Sequence, residues 1–136
     1  MADQSTVNVS LLTPERTVLE EVVDHVVLPL WDGELGVYPR HAALLGKLGH
    51  GELRAHRGDT TFRFYVGGGF VEVADDQVTI LSDQAIPAQE LDTERAREEV
   101  QAVRTRTARG DDELEQRLAD LDVAFSKLRV AKSVSS

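Results

Sequence analysis

Residues 33–45 read GELGVYPRHAALL, and the rest of the chain is organised around them. Two glycines bracket a short apolar strand that Pro39 stops. Proline fixes its own φ and lacks an N–H, so Tyr38 is pushed extended while Arg40 and His41 turn away from any ladder. The stretch predicts a rigid surface corner with Glu34, Tyr38, Arg40 and His41 near one another.

Upstream of the corner, Val7, Val9 and Leu11 alternate with polar neighbours, the mark of a half-buried first strand. Thr13, Pro14, Glu15 and Arg16 make a turn into a second strand, and residues 22–30 carry the densest β-branched run, VVDHVVLPL. Apolar residues at successive positions there suggest a strand covered on both faces. Downstream, residues 44–48 and 52–55 are short strands parted by Gly49, His50 and Gly51. Phe62, Phe64 and Val66 share one strand face, with Arg63 and Tyr65 on the other, and residues 70–81 form a hairpin turning at Asp75 and Asp76. Turn signals every eight to twelve residues indicate a β-sandwich or barrel of about ten strands. At Pro87 the period changes, and residues 92–109 become helix-forming, acidic early and basic late, with Asp92 placed to cap. Gly110 is expected to end this helix, and Asp111 or Asp112 to cap a second. Leu114, Leu118, Leu121, Phe125 and Leu128 then form a narrow stripe that most simply zips against Ala96, Val100, Val103 and Thr107. The expected architecture is mainly β with an α appendage: a sandwich over 1–88, then an antiparallel two-helix hairpin over 89–136. A hairpin sealed by one narrow seam is weakly held, and fully opened it would reach on the order of 50–60 Å.

Acidic residues number 24 against 15 Lys and Arg, a net charge of −9, which argues against a nucleic-acid partner. There is no Cys, hence no disulfide framework or thiolate metal site. The first ten residues lack the basic and apolar regions of a secretory leader, and no run approaches the ~20 apolar residues of a membrane span. Association with a membrane is therefore expected only through partners. His25, His41, His50 and His56 have no ligand spacing, so no metal is expected. Gly67, Gly68 and Gly69 lie between strands with no following Lys-Ser/Thr, which reads as a bulge rather than a phosphate cradle. Asp75, Asp76 and Asp83 read as solvated turn residues, and no nucleophile elbow or triad is present. No catalytic residue is expected.

The corner resembles the segment GELGIxPGHAPLL of the epsilon subunit of rotary ATP synthases. The resemblance continues in order through KLGHGELR (47–54), YVGGGFVEV (65–73), VTILSDQAI (78–86), LDTERA (91–96) and the terminal helix pair. Arg40 stands where that family has glycine and Ala43 where it has proline, so the loop backbone is expected to differ there. The resemblance implies a non-catalytic rotor subunit of a proton-translocating ATP synthase, at the cytoplasmic face of a bacterial membrane. Such a subunit couples rotation of gamma and the c-ring to ATP synthesis, and restrains ATP hydrolysis when its helices rise toward the alpha and beta catalytic subunits. It implies that Glu34 faces the c-ring, that Tyr38, Arg40 and His41 lie in the loop engaging rotor neighbours, and that His41 packs against gamma. Leu91, Asp92, Arg95 and Ala96 fit the pattern [IL]DxxRA, associated in some relatives with regulatory ATP; a capping Asp with an i,i+3 Arg is the favoured account of them. Arg104, Arg106, Lys127 and Arg129 are the candidate contacts to acidic segments of the catalytic head. The rival readings are a stand-alone small-molecule enzyme on a β-sandwich or cupin-like barrel, and an adaptor that binds a peptide through its hairpin.

Overall fold

The glycine triplet decides how the strands assemble. The structure, a computed structural model describing residues 5–135, carries Gly67, Gly68 and Gly69 inside one continuous strand, Thr60–Ala74. The strands in order are β1 (Val7–Leu12), β2 (Thr17–Val23), β3 (His25–Leu30), β4 (Gly33–Val37), β5 (Leu44–Lys47), β6 (His50–Arg57), β7 (Thr60–Ala74) and β8 (Gln77–Pro87). A 3-10 turn (Ala88–Glu90) leads to helices α1 (Thr93–Arg104) and α2 (Gly110–Ser135). The leader reading of the first ten residues rests partly on residues 1–4, which lie outside the described range, as does Ser136.

The strands run β2-β1-β8-β7-β6-β3-β4, with β5 on the distal half of β7. β6 pairs with residues 60–67 of β7 and β5 with residues 70–73, while β8 follows β7 past the bend. One long hairpin thus serves both layers of the sandwich. The structure has eight strands where about ten were expected, because the glycines bend β7 within one continuous strand. The reason is steric. Gly68 and Gly69 hold φ of +73° and +108°, and a side chain at Gly69 would land on the Leu81 carbonyl. Ser82, buried at the bend, accepts from the Gly67 N–H at 3.2 Å and donates to the Gln84 carbonyl at 2.6 Å. Backbone groups that the irregular ladder leaves over are thereby satisfied.

Alternation sets what faces inward. Val7, Val9, Leu11, Val26, Leu28, Leu53, Phe64, Val66, Val71, Val73, Val78 and Ile80 fill one core between the layers. Asp75 and Asp76 take φ of +51° and +61°, as a two-residue turn matched to strand twist requires. Asp24 divides the run 22–30 into β2 and β3.

Tyr65 faces the other way. It is fully buried in a second cluster with Ala88 and Val130, against which Ile86, Leu91 and Val123 pack. This cluster, on the outer face of the sheet, is where α2 docks. Asp92 caps α1, its carboxylate accepting from the N–H groups of Glu94 at 2.9 Å and Arg95 at 3.4 Å. The helix stops at Arg104 rather than continuing to Arg109, because Thr105 returns its hydroxyl to the Gln101 carbonyl at 3.0 Å. Gly110, expected to end α1, instead opens α2, and the Arg109 N–H donates to the Glu113 carboxylate at 2.7 Å. The expected leucine stripe is only partly covered. Leu114 and Leu118 are 41% and 54% exposed, Leu121, Phe125 and Leu128 are half-buried, and the fully buried positions of α2 are Ala124, Ser126, Val130 and Ala131.

Candidate partner-docking surfaces

The sandwich presents two outer faces, and the corner joins them. After β4 the chain passes through Tyr38 and Pro39 to Arg40, whose φ is +64°. That is the left-handed region glycine favours, held here by the Arg40 N–H donating to Asp76 Oδ1 at 2.6 Å. Arg40 thus makes a left-handed turn that a glycine would make at lower cost. His41 donates from Nδ1 to the Ala42 carbonyl at 2.7 Å, which places a proton on that nitrogen. Tyr38 is exposed and lies flat on His25, with ring centroids 4.5 Å apart.

Glu34 stands apart from this group. It and Tyr38 share one face of β4, but four residues of strand place their backbones roughly 13 Å apart. Its carboxylate pairs instead with Arg54 at 3.2 Å, which also bridges Glu52 at 3.1 Å, and Glu52 reaches Arg63 at 3.2 Å. Burial works against the Arg54 cation, yet the bonds and charges of Glu34 and Glu52 outweigh it and raise its pKa. Glu34 and Arg54 also rim a cleft of about 350 Å³ between the sheet and α2, closed on the helix side by Ser126, Arg129 and Val130.

Leu91, Asp92, Arg95 and Ala96 do converge. They line a cleft of about 230 Å³ together with Ile86, Glu90, Glu99 and Lys127. The Asp92 carboxylate is engaged by the helix terminus, as the capping reading expects. Lys127 lies 3.9 Å from Glu99 and 5.7 Å from the Tyr65 ring centroid. Burial pushes the Tyr65 phenol up to about 12, aided by Asp122 and Glu99.

The four remaining basic candidates do not form one patch. The Arg104 guanidinium lies 5.5 Å over the Phe125 ring, and Arg106 pairs with Asp120 at 2.7 Å. Arg106 and Gln116 hold the Asp120 carboxyl below its ordinary range through hydrogen bonds. Arg129 donates to the Ser126 hydroxyl at 3.1 Å.

One surface escaped the sequence reading. Trp31, Leu45, Phe70 and Leu81 are 70%, 75%, 56% and 54% exposed. Phe70 is the register partner of both Leu81 on β8 and Lys47 on β5, Leu45 lies two residues from Lys47, and the Trp31 N–H donates to the Lys47 carbonyl at 3.0 Å. These large apolar side chains thus gather on one outer face, a feature that marks interaction surfaces. Parity was the available signal. Leu45, Phe70 and Leu81 each occupy the outward phase of a strand whose inward phase is already apolar. Among the described residues, no three His, Asp or Glu side chains converge as a metal would require, and no helix is long and apolar enough to cross a membrane.

Comparison with known proteins agrees with this architecture. The family described as ATP synthase, Delta/Epsilon chain, beta-sandwich domain matches residues 6–88. The ATP synthase epsilon chain of Desulforamulus reducens is 35% identical over 130 residues, covering 96% of this chain and 93% of that one. The epsilon chain of Syntrophobacter fumaroxidans is 41% identical over 128 residues, covering 93% and 96%. In solved structures, a chain of the Euglena gracilis mitochondrial ATP synthase, OSCP/F1/c-ring, superimposes with a TM-score of 0.84 at 23% identity, over 94% of this chain and 82% of that one. With sandwich, hairpin and nearly full-length relatives all in agreement, the chain belongs to the ATP synthase delta/epsilon family, and within it to the epsilon chains, its non-catalytic members.

Proposed function

We propose that this chain is a rotor subunit of a bacterial proton-translocating ATP synthase, seated peripherally at the cytoplasmic face of the membrane through gamma and the c-ring. The observation that supports this reading is the apolar face of Trp31, Leu45, Phe70 and Leu81, four large exposed side chains gathered on one outer face. Gamma is the occupant proposed for it, with Tyr38, Arg40 and His41 at its edge. Glu34, at the opposite end of β4, is assigned to the polar loops of the c-ring. The chain divides functionally at 88/89: the sandwich anchors, and the hairpin restrains ATP hydrolysis when it rises toward the alpha and beta subunits. Arg104, Arg106, Lys127 and Arg129 would there exchange their partners within the hairpin for acidic groups of the catalytic head. Regulatory ATP is assigned to the cleft of Leu91, Asp92, Arg95 and Ala96, where the docked α2 brings Lys127 within reach. Glu90, Asp92 and Glu99 line the same cleft and oppose a triphosphate, so binding there is weak.

Reconstitution with a gamma–c-ring complex tests the reading. Leu45→Glu with Phe70→Glu should weaken assembly by at least roughly tenfold, since both side chains are outward and serve no core. Undiminished affinity of a folded double variant would move the gamma interface elsewhere.

A further inference from the structure

Three aromatic rings on three neighbouring strands form a single column. His25 opens β3 and is the register partner of His56 on β6, while Val26 pairs with Val37, which sets Tyr38 beside His25. The ring centroids are 4.5 Å apart at both steps, with planes 10° apart for Tyr38 on His25 and 21° for His25 on His56. Val26, Val37 and Ala55 point into the core, so parity puts all three rings on the outer face. The column is closed at His56, whose Nδ1 meets Thr61 Oγ1 at 3.2 Å, and open at Tyr38, which is exposed.

The surroundings disfavour charge on it. β6 brings Arg54 and Glu52, β7 brings Arg63, and Glu34 of β4 is already paired with Arg54. Asp24 turns its carboxylate to the Gly58 N–H at 2.8 Å, and Arg57 pairs with Glu21 at 3.0 Å. Burial lowers the pKa of His56, as do the charges of His25, Arg54 and Arg63, against a smaller opposing effect of Glu52.

We propose that the Tyr38–His25–His56 column is a proton-sensitive docking element: stacked and uncharged it presents Tyr38 to gamma, and charging both imidazoles parts the column and loosens gamma. One imidazolium beside the phenol ring is tolerated, because a cation over an aromatic face is attracted to it. A second would set like charges 4.5 Å apart with Arg54 and Arg63 close by. The parallel rings cannot relieve this by turning within the stack, so they separate. Tyr38 has no deeper anchor, as it lies beyond the end of β4 and leans over Gly36, which leaves it room.

The inference rests on the corner facing the rotor, and two measurements separate its failure from the failure of that reading. In the isolated full-length chain, the ring resonances of Tyr38 and His56 are followed by NMR from neutral to acid pH. The Tyr38 signals should move with protonation of the histidine pair, and His25→Gln should raise the His56 midpoint by removing its charged neighbour. An unmoved Tyr38, or a His56 midpoint indifferent to His25→Gln, overturns the column as a coupled unit. The second measurement is affinity for a gamma–c-ring complex at pH 7.5 and 5.5. Wild-type affinity should fall roughly three- to tenfold on acidification, the worth of one aromatic contact, and the His25→Gln, His56→Gln double variant should be level. Equal falls in both chains assign the pH effect to other groups and overturn the proposal. Full affinity of Tyr38→Ala at both pH values refutes the docking reading even where the NMR coupling holds.

Discussion

Truncating Tyr65 to alanine should release the hairpin and leave the sandwich closed. The ring is fully buried, yet it lies outside the main core, in the small cluster with Ala88 and Val130 that joins α2 to the sheet. Removing a fully buried aromatic side chain costs about 3–5 kcal/mol. It also forfeits the 3.1 Å contact of the phenol with His50 Nδ1 and the approach of Lys127 to the ring. Since each 1.4 kcal/mol is a factor of ten, the population with α2 undocked should rise by roughly two to three and a half orders of magnitude. Native-state hydrogen exchange reads this directly, as loss of protection at the α2 amides around Val123 and Val130 while those of β1 and β6 hold. Tyr65→Phe keeps the ring and should cost only about 1 kcal/mol for the lost hydrogen bond. An alkaline titration gives an independent check. The Tyr65 phenol is pushed up to about 12 when α2 is docked, above the ordinary value near 10. Docking stability is therefore complete below about pH 10 and declines as pH rises toward 12, because the undocked chain ionises first. Tyrosinate absorbance in a Tyr38→Phe background should appear together with loss of α2 protection. Equal loss of protection in helix and strands would show that Tyr65 holds the whole molecule rather than the hairpin, and the reasoning would fail.

Two further substitutions probe the corner and the helix. Arg40→Gly should raise stability by roughly 0.5–1 kcal/mol, relief of a left-handed arginine exceeding the entropy that glycine adds to the unfolded chain; thermal melting measures it. Leu118→Glu should leave the melting of the isolated chain within about 0.5 kcal/mol, because that leucine is uncovered, and a larger drop in denaturant titrations would mean it is packed after all.

What sequence could show divides along the range of the interactions involved. Strand parity is local, and it correctly turned Val7, Val9, Leu11, Phe64 and Val66 inward. The hairpin turn was equally legible, since only Asn, Asp and Gly enter the left-handed region readily and Asp75–Asp76 is such a pair. The glycine triplet was legible as a bulge, but that it lies within one continuous strand shows only in the pairing of β8 on both sides of it. The end of α1 was misplaced because Gly110 is a strong stop signal and Thr105 a weak one, yet Thr105 comes first. At the corner, local chemistry located Tyr38, Arg40 and His41 on the surface. The column beneath Tyr38 required the register of β3, β4 and β6, which no single stretch encodes. Parity did contain the apolar face, because Leu45, Phe70 and Leu81 are all large residues in outward phase.

The helical stripe is the most instructive partial reading, because its spacing is present while its first two leucines stay largely exposed. Helices approach one another according to what lies between them, and small residues let backbones come close. Ala96 and Val100 of α1 are buried, and so are Ala124 and Ala131 of α2. Val103, Val123 and Ala124 line the remaining crevice between them. On the opposite side α2 spends Val130 on Tyr65 and sends the Ser133 hydroxyl to Glu52 at 2.8 Å. Both attachments to the sheet lie in the C-terminal part of the helix. The N-terminal part, from Gly110 to Asp120, carries Leu114 and Leu118 on no surface of this chain, tethered to the loop by the Arg106–Asp120 pair and by Arg117 donating to the Arg106 carbonyl at 2.9 Å. Such exposed ion pairs hold only weakly. The free end of the helix is thus both weakly held and apolar, and a neighbour that covered Leu114 and Leu118 would draw α2 away from its N-terminal end first. Tyr65 would let go last, because the attachment with the largest buried side chain sits farthest from the exposed leucines.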